Sequence, residues 1–125
     1  MIHHVSVGTN DLPRSRAFYD AVLAVLGLRL LNGSAESADY GVGAFLFSVE
    51  TPVDGKAATA GNRVHLAFAA GRRAMVDQFY QTALVHGGRD AGAPGLRPRY
   101  DANFYGAFVL DPDGNKIEAV TYSAK

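Results

Sequence analysis

The sequence predicts an α+β fold made of two copies of one strand–helix–strand–strand–strand unit, related by approximate twofold symmetry. The first observation is a repeat at a constant separation of 61 residues, in which His4 returns as His65 and Phe18 as Phe79. The second is an apolar alternation of period two around each histidine, which is typical of a strand with one buried face. The third is a stripe of apolar residues spaced three and four apart after each strand, which is typical of a helix packed on a sheet.

The length and composition are those of one ordinary globular domain. The chain has 125 residues, of which 48% are hydrophobic and 19% charged, and this is enough to build a core. Half of that length is too short to be a comfortable domain, so the two copies are expected to share one core. We predict a single domain over residues 1–125, with module one at about 1–50, a linker rich in Pro, Gly and Ala at about 51–62, and module two at about 63–125.

Charge and residue content disfavour several classes of function. Twelve basic and twelve acidic residues leave no net charge, which argues against a nucleic-acid-binding surface. The chain has no cysteine, so disulfides, thiolate nucleophiles and cysteine-type zinc sites are excluded. No signal peptide and no apolar run of membrane-spanning length is visible, so we expect a cytoplasmic location and no membrane partner.

The first module begins with a predicted strand over Ile2–Gly8 and continues with a helix. Asn10 or Asp11 caps this helix, Pro13 stands within its first turn, and Gly27 ends it in a left-handed conformation. Its apolar stripe consists of Phe18, Val22, Val25 and Leu26. Three shorter strands are predicted at Leu28–Leu31, Tyr40–Val42 and Ala44–Val49, with a break at Asn32–Ser34 after the first.

The second module repeats the pattern, with a strand over Val64–Ala69 and a helix over about Arg72–His86. The buried stripe of this helix is Met75, Phe79 and Ala83, widened by Val76, Tyr80 and Leu84. Glycines and prolines predict that Arg89–Arg99 is irregular. A hairpin follows, in which the strands Phe104–Leu110 and Asn115–Tyr122 are joined by an Asp-Pro-Asp-Gly turn.

Three blocks of the chain resemble the motifs of a known family, and they occur in that family's order. The blocks are His4–Tyr19, His65–Phe68 and Phe108–Glu118. They are similar to the vicinal oxygen chelate superfamily, which includes glyoxalase I, extradiol dioxygenases, fosfomycin-resistance enzymes and bleomycin-resistance proteins. The resemblance spans nearly the whole chain and is strongest with small single-domain, glyoxalase-like members.

The resemblance implies both a fold and a metal site. Each module would curl into a half-barrel, and the paired halves would enclose a cleft with a divalent metal that binds two adjacent oxygens of a substrate. Carried over by position, the metal ligands are His4, His65 and Glu118, a donor set suited to Fe, Mn, Zn or Ni. Strand alternation is consistent with these ligands, because each of them points to the strand face opposite the bulky apolar residues that are expected under the helices. In the alternative, the two histidines are retained from the duplicated strand for structural reasons, and their hydrogen bonds are satisfied within a cleft that holds no metal.

One position departs from the glyoxalase pattern, which uses a fourth ligand from the last strand of module one. That strand, Ala44–Glu50, offers only Glu50 as a strong donor. Glu50 stands at the strand end, where a carboxylate is usually solvated. The sequence therefore favours three protein ligands with open positions over a true glyoxalase.

The segment after residue 96 holds the candidate substrate-binding residues. Arg97, Arg99, Tyr100 and Tyr105 are placed to close over an anionic or aromatic substrate, since a guanidinium matches the geometry of a carboxylate or phosphate. Binding residues are often carried by such loops. The alternative is a solvated loop whose arginines pair with nearby aspartates.

Two classes of function remain open at this point. The first is a divalent-metal-dependent enzyme of the glyoxalase/dioxygenase type, a lyase or dioxygenase that acts on a small molecule. The second is a metal-free protein of the bleomycin-resistance type that sequesters a small molecule in the same cleft, and a regulatory module without a ligand is a third reading. The resemblance also implies a homodimer, and the exposed sheet edges of the half-barrels favour such pairing.

Overall fold

The computed structural model describes all 125 residues, which form two four-stranded sheets with one helix each. The elements are β1 (Val5–Gly8), α1 (Leu12–Val25), β2 (Arg29–Gly33), β3 (Ser37–Val42), β4 (Ala44–Glu50), β5 (His65–Ala69), α2 (Arg73–Val85), β6 (Arg89–Leu96), β7 (Tyr105–Leu110) and β8 (Lys116–Thr121). The predicted α+β class with two βαβββ modules is confirmed. None of the helices is long and apolar enough to cross a membrane.

The two sheets have the same topology. Their strand orders are β1-β4-β3-β2 and β5-β8-β7-β6, so the strand that opens each module pairs in parallel with the strand that closes it. The other neighbours are antiparallel. In the first sheet Ser6 lies opposite Ser48, and in the second Ala67 lies opposite Glu118. The repeat in the sequence is therefore a repeat of strand pairing.

The helices begin and end at the predicted capping residues, but the glycine that ends the helix is displaced by one residue in module two. Asp11 is the N-cap of α1, and its side chain accepts a hydrogen bond of 3.1 Å from the Arg14 N–H. Gly27 has a positive φ of 87° after α1. After α2 the positive φ of 95° belongs to Gly87, although the 61-residue repeat aligns Gly27 with Gly88. The sequence repeat thus slips by one residue at the end of α2.

One core lies between the helices and the inner faces of both sheets. All 21 buried hydrophobic residues belong to a single cluster, and α1 and α2 contact each other. The rings of Phe47 and Phe68 meet across the modules at 5.3 Å between centroids. Leu84 departs from the predicted stripe and is 38% exposed. Because each sheet turns one face to this core, its other face is left outside it.

The prediction that residues 89–99 are irregular is wrong over Arg89–Leu96, which forms β6. Its register against β7 shifts between Asp90 and Gly92 and again between Gly92 and Gly95. Such bulges accommodate glycine, and β6 is an edge strand, where a proline breaks no ladder of hydrogen bonds on the open side. Glycine and proline therefore mark an irregular edge strand in this segment.

The Asp-Pro-Asp-Gly turn of module two is docked on the first turn of α1. The Gly114 N–H donates to the Asp111 carbonyl at 2.9 Å, and Gly114 has a φ of 90°, as predicted for this turn. Asp113 accepts hydrogen bonds from the Thr9 and Ser15 hydroxyls, from the Asn10 N–H and from Arg14. This inter-module clamp fixes the start of β8 relative to module one.

Candidate functional site

The outer face of the second sheet forms a cavity of about 730 Å³. Alternation along β8 builds its floor, since Lys116, Glu118 and Val120 face the cavity while Ile117 and Ala119 are buried in the core. The lining residues are Arg63, His65, Ala67, Ala91, Gly92, Arg97, Arg99, Tyr100, Phe104, Phe108, Lys116, Glu118, Val120 and Tyr122.

A histidine and a buried carboxylate meet on this floor. The Nε2 atom of His65 lies 3.4 Å from Oε1 of Glu118, whose side chain is only 3% exposed. The second carboxylate oxygen, Oε2, is buried and has no hydrogen-bond partner. Gly106 of β7 makes room for it, because a Cβ at that position would lie 3.1 Å from Oε2. A buried acceptor without a partner is costly, and such groups are rare in folded proteins.

Burial also changes the acidity of this carboxyl group. Removal from water raises the pKa of Glu118 from 4.5 to about 7, although the positive charges of Arg97 and Lys116 act in the opposite direction. The folded protein therefore holds Glu118 partly protonated near neutral pH. A neighbouring cation at the site would favour the ionised form.

The other predicted histidine ligand lies on the other sheet. His4 is exposed immediately before β1, stacks on Phe45 at 4.3 Å between centroids, and its Nδ1 lies 2.8 Å from Nδ1 of His3. It does not line the cavity that contains His65 and Glu118. Within one chain, no group of three or more His, Asp or Glu side chains is arranged to hold a metal ion.

The first sheet carries a hydroxyl where the second carries Glu118. His4 aligns with His65 in the repeat, and two residues later Ser6 faces Ser48 just as Ala67 faces Glu118. Glu50 lies two residues beyond Ser48 along β4, opposite Gly8. Its Oε2 accepts hydrogen bonds from Ser48 at 2.6 Å and from Ser6 at 3.0 Å.

The predicted substrate-binding residues divide between the two faces of the second sheet. Arg97, Arg99 and Tyr100 line the cavity. Tyr105 does not line it, because its hydroxyl donates to Asp77 of α2 at 2.6 Å on the helix-covered side. Arg97 is held in place by hydrogen bonds of 2.8 Å to the carbonyls of Ala93 and Gly95.

Sequence reasoning missed part of the cavity wall. Lys116 and Val120 precede and follow Glu118 by two residues, so strand alternation alone would have placed them on the same face. Phe108 faces Glu118 across β7 and β8, a pairing that only the register reveals. Arg63 had no signal in the sequence, because it precedes β5 and was assigned to neither strand nor motif.

These residues fit a divalent metal in part. An imidazole and a carboxylate are suitable donors, they lie together, and one carboxylate oxygen still lacks a partner. Two protein donors are fewer than the three that mononuclear catalytic sites usually employ. A further donor would have to come from outside the chain.

Comparisons with known proteins agree with this fold. The Glyoxalase/Bleomycin resistance protein/Dioxygenase superfamily model matches residues 1–119. A glyoxalase/bleomycin resistance protein from Albidiferax ferrireducens is 39% identical, with 96% of this chain and 97% of that chain covered and a TM-score of 0.88. A search of curated proteins finds no significant match.

More distant solved structures share the fold alone. A glyoxalase-related enzyme from Fulvimarina pelagi is 20% identical, with 96% of this chain and 86% of that chain covered and a TM-score of 0.76. A lactoylglutathione lyase from Agrobacterium tumefaciens is 21% identical, with 96% and 92% covered and a TM-score of 0.67.

Proposed function

Because the chain belongs to the Glyoxalase/Bleomycin resistance protein/Dioxygenase superfamily, we propose a metal-dependent function for its cavity. The protein is an enzyme of the glyoxalase/dioxygenase type that acts on a small molecule through two adjacent oxygens. The observation that carries the proposal is the buried Oε2 of Glu118, which lacks a partner, on a carboxylate whose other oxygen, Oε1, lies 3.4 Å from Nε2 of His65. A divalent cation would satisfy this oxygen.

In this proposal His65 and Glu118 hold the ion from β5 and β8. The ion supplies Lewis acidity, which stabilises negative charge on the substrate oxygens. Burial of Glu118 keeps water from competing for its carboxylate, and the lack of a side chain at Gly106 leaves room for Oε2. Arg97, Arg99 and Tyr100 bind the remainder of the substrate along the wall.

The third ligand is His4 of a second copy of this chain. The outer faces of both sheets lie outside the core, and the first sheet exposes apolar side chains there and at its turn, including Leu46 at 45% and Val42 at 68%. Exposed apolar surface of this kind favours association. A homodimer in which the first sheet of one copy covers the cavity of the other would bring His4 toward His65 and Glu118. The cleft is then complete only between copies.

Metal analysis of variants tests the ligand assignment. Protein purified without chelator should contain near-stoichiometric Fe, Mn, Zn, Ni or Co, and His65→Ala and Glu118→Gln should each lose most of it. His86→Ala is the matched control, since the His86 Nδ1 is engaged with the Thr82 carbonyl at 2.9 Å at the end of α2. Wild-type protein that takes up no metal would remove the main support for the enzyme.

A mixing experiment tests whether the site forms between copies. Neither His4→Ala nor His65→Ala should bind metal as a homodimer. A heterodimer of these two variants regains one intact site if the ligands come from different copies, and none if they come from the same copy. Metal content near one ion per heterodimer supports the shared site, whereas an empty heterodimer contradicts it.

The second candidate is a metal-free protein that sequesters a small molecule in the same cavity. One observation favours it: a single chain brings together only two metal donors, while aromatic and basic side chains line most of the wall. Unchanged ligand affinity in His65→Ala, together with absence of metal from wild-type protein, would select this alternative.

A further inference from the structure

Three of the four Arg and Lys side chains of the cavity lie toward one end and three of its four Phe and Tyr rings toward the other, with Arg99 and Phe108 as the exceptions. From this we propose that its ligand is an elongated aromatic anion. The anionic group binds to a cation cluster formed by Arg63, Arg97 and Lys116. The aromatic group stacks on a shelf formed by Tyr100, Phe104 and Tyr122. This inference deepens the proposed function, because it names the class of molecule that the same cavity accepts.

No cation of the cluster forms a salt bridge, and the one acidic side chain that lines the cavity with them is Glu118, on whose pKa Arg97 and Lys116 act. The structure contains two salt bridges, Arg14–Asp113 and His65–Glu118, and neither involves a cation of the cluster. Lys116 and Arg97 instead approach the same ring of Phe108, at 4.9 and 5.8 Å from its centroid. Like charges close to one ring repel each other, and an anion bound beside them would relieve this repulsion.

Arg63 adds an observation from the backbone. It is the one residue other than glycine with a positive φ, 79°, a conformation that disfavours a residue with a side chain. It stands two residues before His65 and lines the cavity beside Lys116. A backbone held in such a conformation often marks a functional position. In this case it directs a guanidinium to the cavity.

The aromatic shelf lies toward the other end of the same strands. The rings of Tyr100 and Phe104 are 4.9 Å apart and those of Phe104 and Tyr122 are 5.5 Å apart, in tilted arrangements. Arg99 lies over the Tyr100 ring, with its guanidinium carbon 4.8 Å from the centroid. Tyr100 and Tyr122 are nevertheless 57% and 61% exposed, so the shelf keeps free ring surface, most of all at Tyr122. Exposed aromatic surface offers stacking to a planar ligand.

Strand geometry gives the distance between the two parts. Phe104 precedes Phe108 by four residues in the direction of β7, which corresponds to roughly 13 Å at a rise of ~3.3 Å per residue. Glu118 faces Phe108 between them. A ligand that reaches both parts therefore passes over Glu118, with its anion at the Lys116 end and its ring at the Tyr122 end.

The binding of ω-phenylalkanoates to chelator-treated protein tests whether one ligand reaches both the cation cluster and the aromatic shelf. Phenylacetate, 4-phenylbutanoate and 6-phenylhexanoate are titrated by NMR, with hexanoate as the acid without a ring and 6-phenylhexan-1-ol as the ring without a charge. We expect 6-phenylhexanoate to bind at least about tenfold more tightly than either control. Equal affinity of either control, or no binding of any acid at about 10 mM, would overturn the inference.

Variants assign the two ends of the ligand. Lys116→Gln should weaken 6-phenylhexanoate about five- to tenfold and leave 6-phenylhexan-1-ol unchanged, while Phe104→Ala should weaken both. Lys56→Gln removes the same charge from an exposed position outside the cavity and serves as the control. Arg63→Gly should weaken the acid yet raise the melting temperature, because glycine accepts the positive φ. A purely structural Arg63 would leave acid affinity unchanged and contradict its assignment.

Metal uptake, measured on a portion of the same preparation that is kept free of chelator, separates this inference from the proposed function. Acid binding without any metal uptake would support the aromatic anion and overturn the metal-dependent enzyme. Metal uptake with equal binding of 6-phenylhexanoate and its alcohol would support the enzyme and overturn the aromatic anion.

Discussion

Ser48 occupies in the first sheet the register position that Glu118 occupies in the second. Each lies opposite the second residue after the repeated histidine, Ser6 in one sheet and Ala67 in the other. The fold is therefore symmetric at this position, and the chemistry is not. Symmetry would place a carboxylate at this position as the fourth metal ligand. The side chain present is instead the Ser48 hydroxyl, which donates a hydrogen bond to Glu50.

The first prediction restores that carboxylate. The double variant Ser48→Glu/Glu50→Gln places an acidic group at the position and removes the neighbouring charge that would repel it. We expect metal affinity to rise at least about tenfold, since affinity follows the number of charged ligands. Competition with a chromophoric chelator measures it, and Ser48→Gln/Glu50→Gln is the control of equal size. If the metal affinities of Ser48→Glu/Glu50→Gln and Ser48→Gln/Glu50→Gln lie within twofold of each other, Ser48 does not face the metal.

The sequence alone indicated the two modules, their helices and the pairing of His65 with a carboxylate on the last strand. It could not indicate that Ser48, and not Glu50, is the counterpart of Glu118. The two residues lie on the same face of β4, and a register shift of two residues leaves the pattern of buried and exposed side chains unchanged. The sequence also could not predict that His4 and His65 lie apart within one chain. A repeat specifies each module, whereas the relative placement of modules depends on which faces pack.

Nor could composition distinguish an edge strand from a loop at β6. Gly92 and Pro94 disfavour a central strand, but an edge strand with bulges tolerates both. Arg97 illustrates the consequence, because the carbonyls of Ala93 and Gly95 on this strand hold its guanidinium over Phe108.

The second prediction concerns pH and Glu118 in metal-free protein. Its pKa in the folded state, about 7, exceeds the ordinary 4.5, so the folded state binds the proton more tightly. Stability is therefore lost as the pH rises from about 4.5 to about 7, by about 3 kcal/mol for a group so fully buried. Glu118→Gln removes this loss.

Thermal melts of Glu118→Gln and wild type in chelator check the sign. The variant should melt about 10 °C higher at pH 8, and the difference should shrink toward pH 5. A difference that is constant with pH would mean that Glu118 stays ionised in the folded protein.

The third prediction tests the space beside the carboxylate without removing a ligand. Gly106→Ala puts a methyl group 3.1 Å from Oε2 of Glu118 and 3.0 Å from the Phe104 ring. We expect the carboxylate to move and metal affinity to fall about tenfold, with both proposed donors of this chain retained. Gly71→Ala is the control, because the nearest atom to its Cβ is the flexible Met75 Sδ at 3.4 Å. Equal metal affinity in the two variants would contradict a fixed carboxylate position.

The last prediction concerns the clamp between the modules at Asp113. Burial alone would raise its pKa, but hydrogen bonds from Thr9, the Asn10 N–H and Ser15, together with Arg14, hold the pKa below 3.8. A depressed pKa means that the stability contributed by Asp113 is present above about pH 4 and is lost as the pH falls through the folded-state value. Asp113→Ala should cost about 2–4 kcal/mol at pH 7, because it leaves buried hydroxyl groups and Arg14 without their acceptor.

Urea unfolding at pH 7 and near pH 3 checks this contribution. Asp54→Ala is the control, since Asp54 is exposed and accepts only the Lys56 N–H at 3.0 Å. The cost of Asp113→Ala should be large at pH 7 and smaller near pH 3, whereas Asp54→Ala should stay near zero at both. Because Asp113 also holds the turn from which β8 begins, its loss should weaken metal binding at Glu118 as well. Loss of stability with unchanged metal affinity would show that the second sheet positions Glu118 without the clamp.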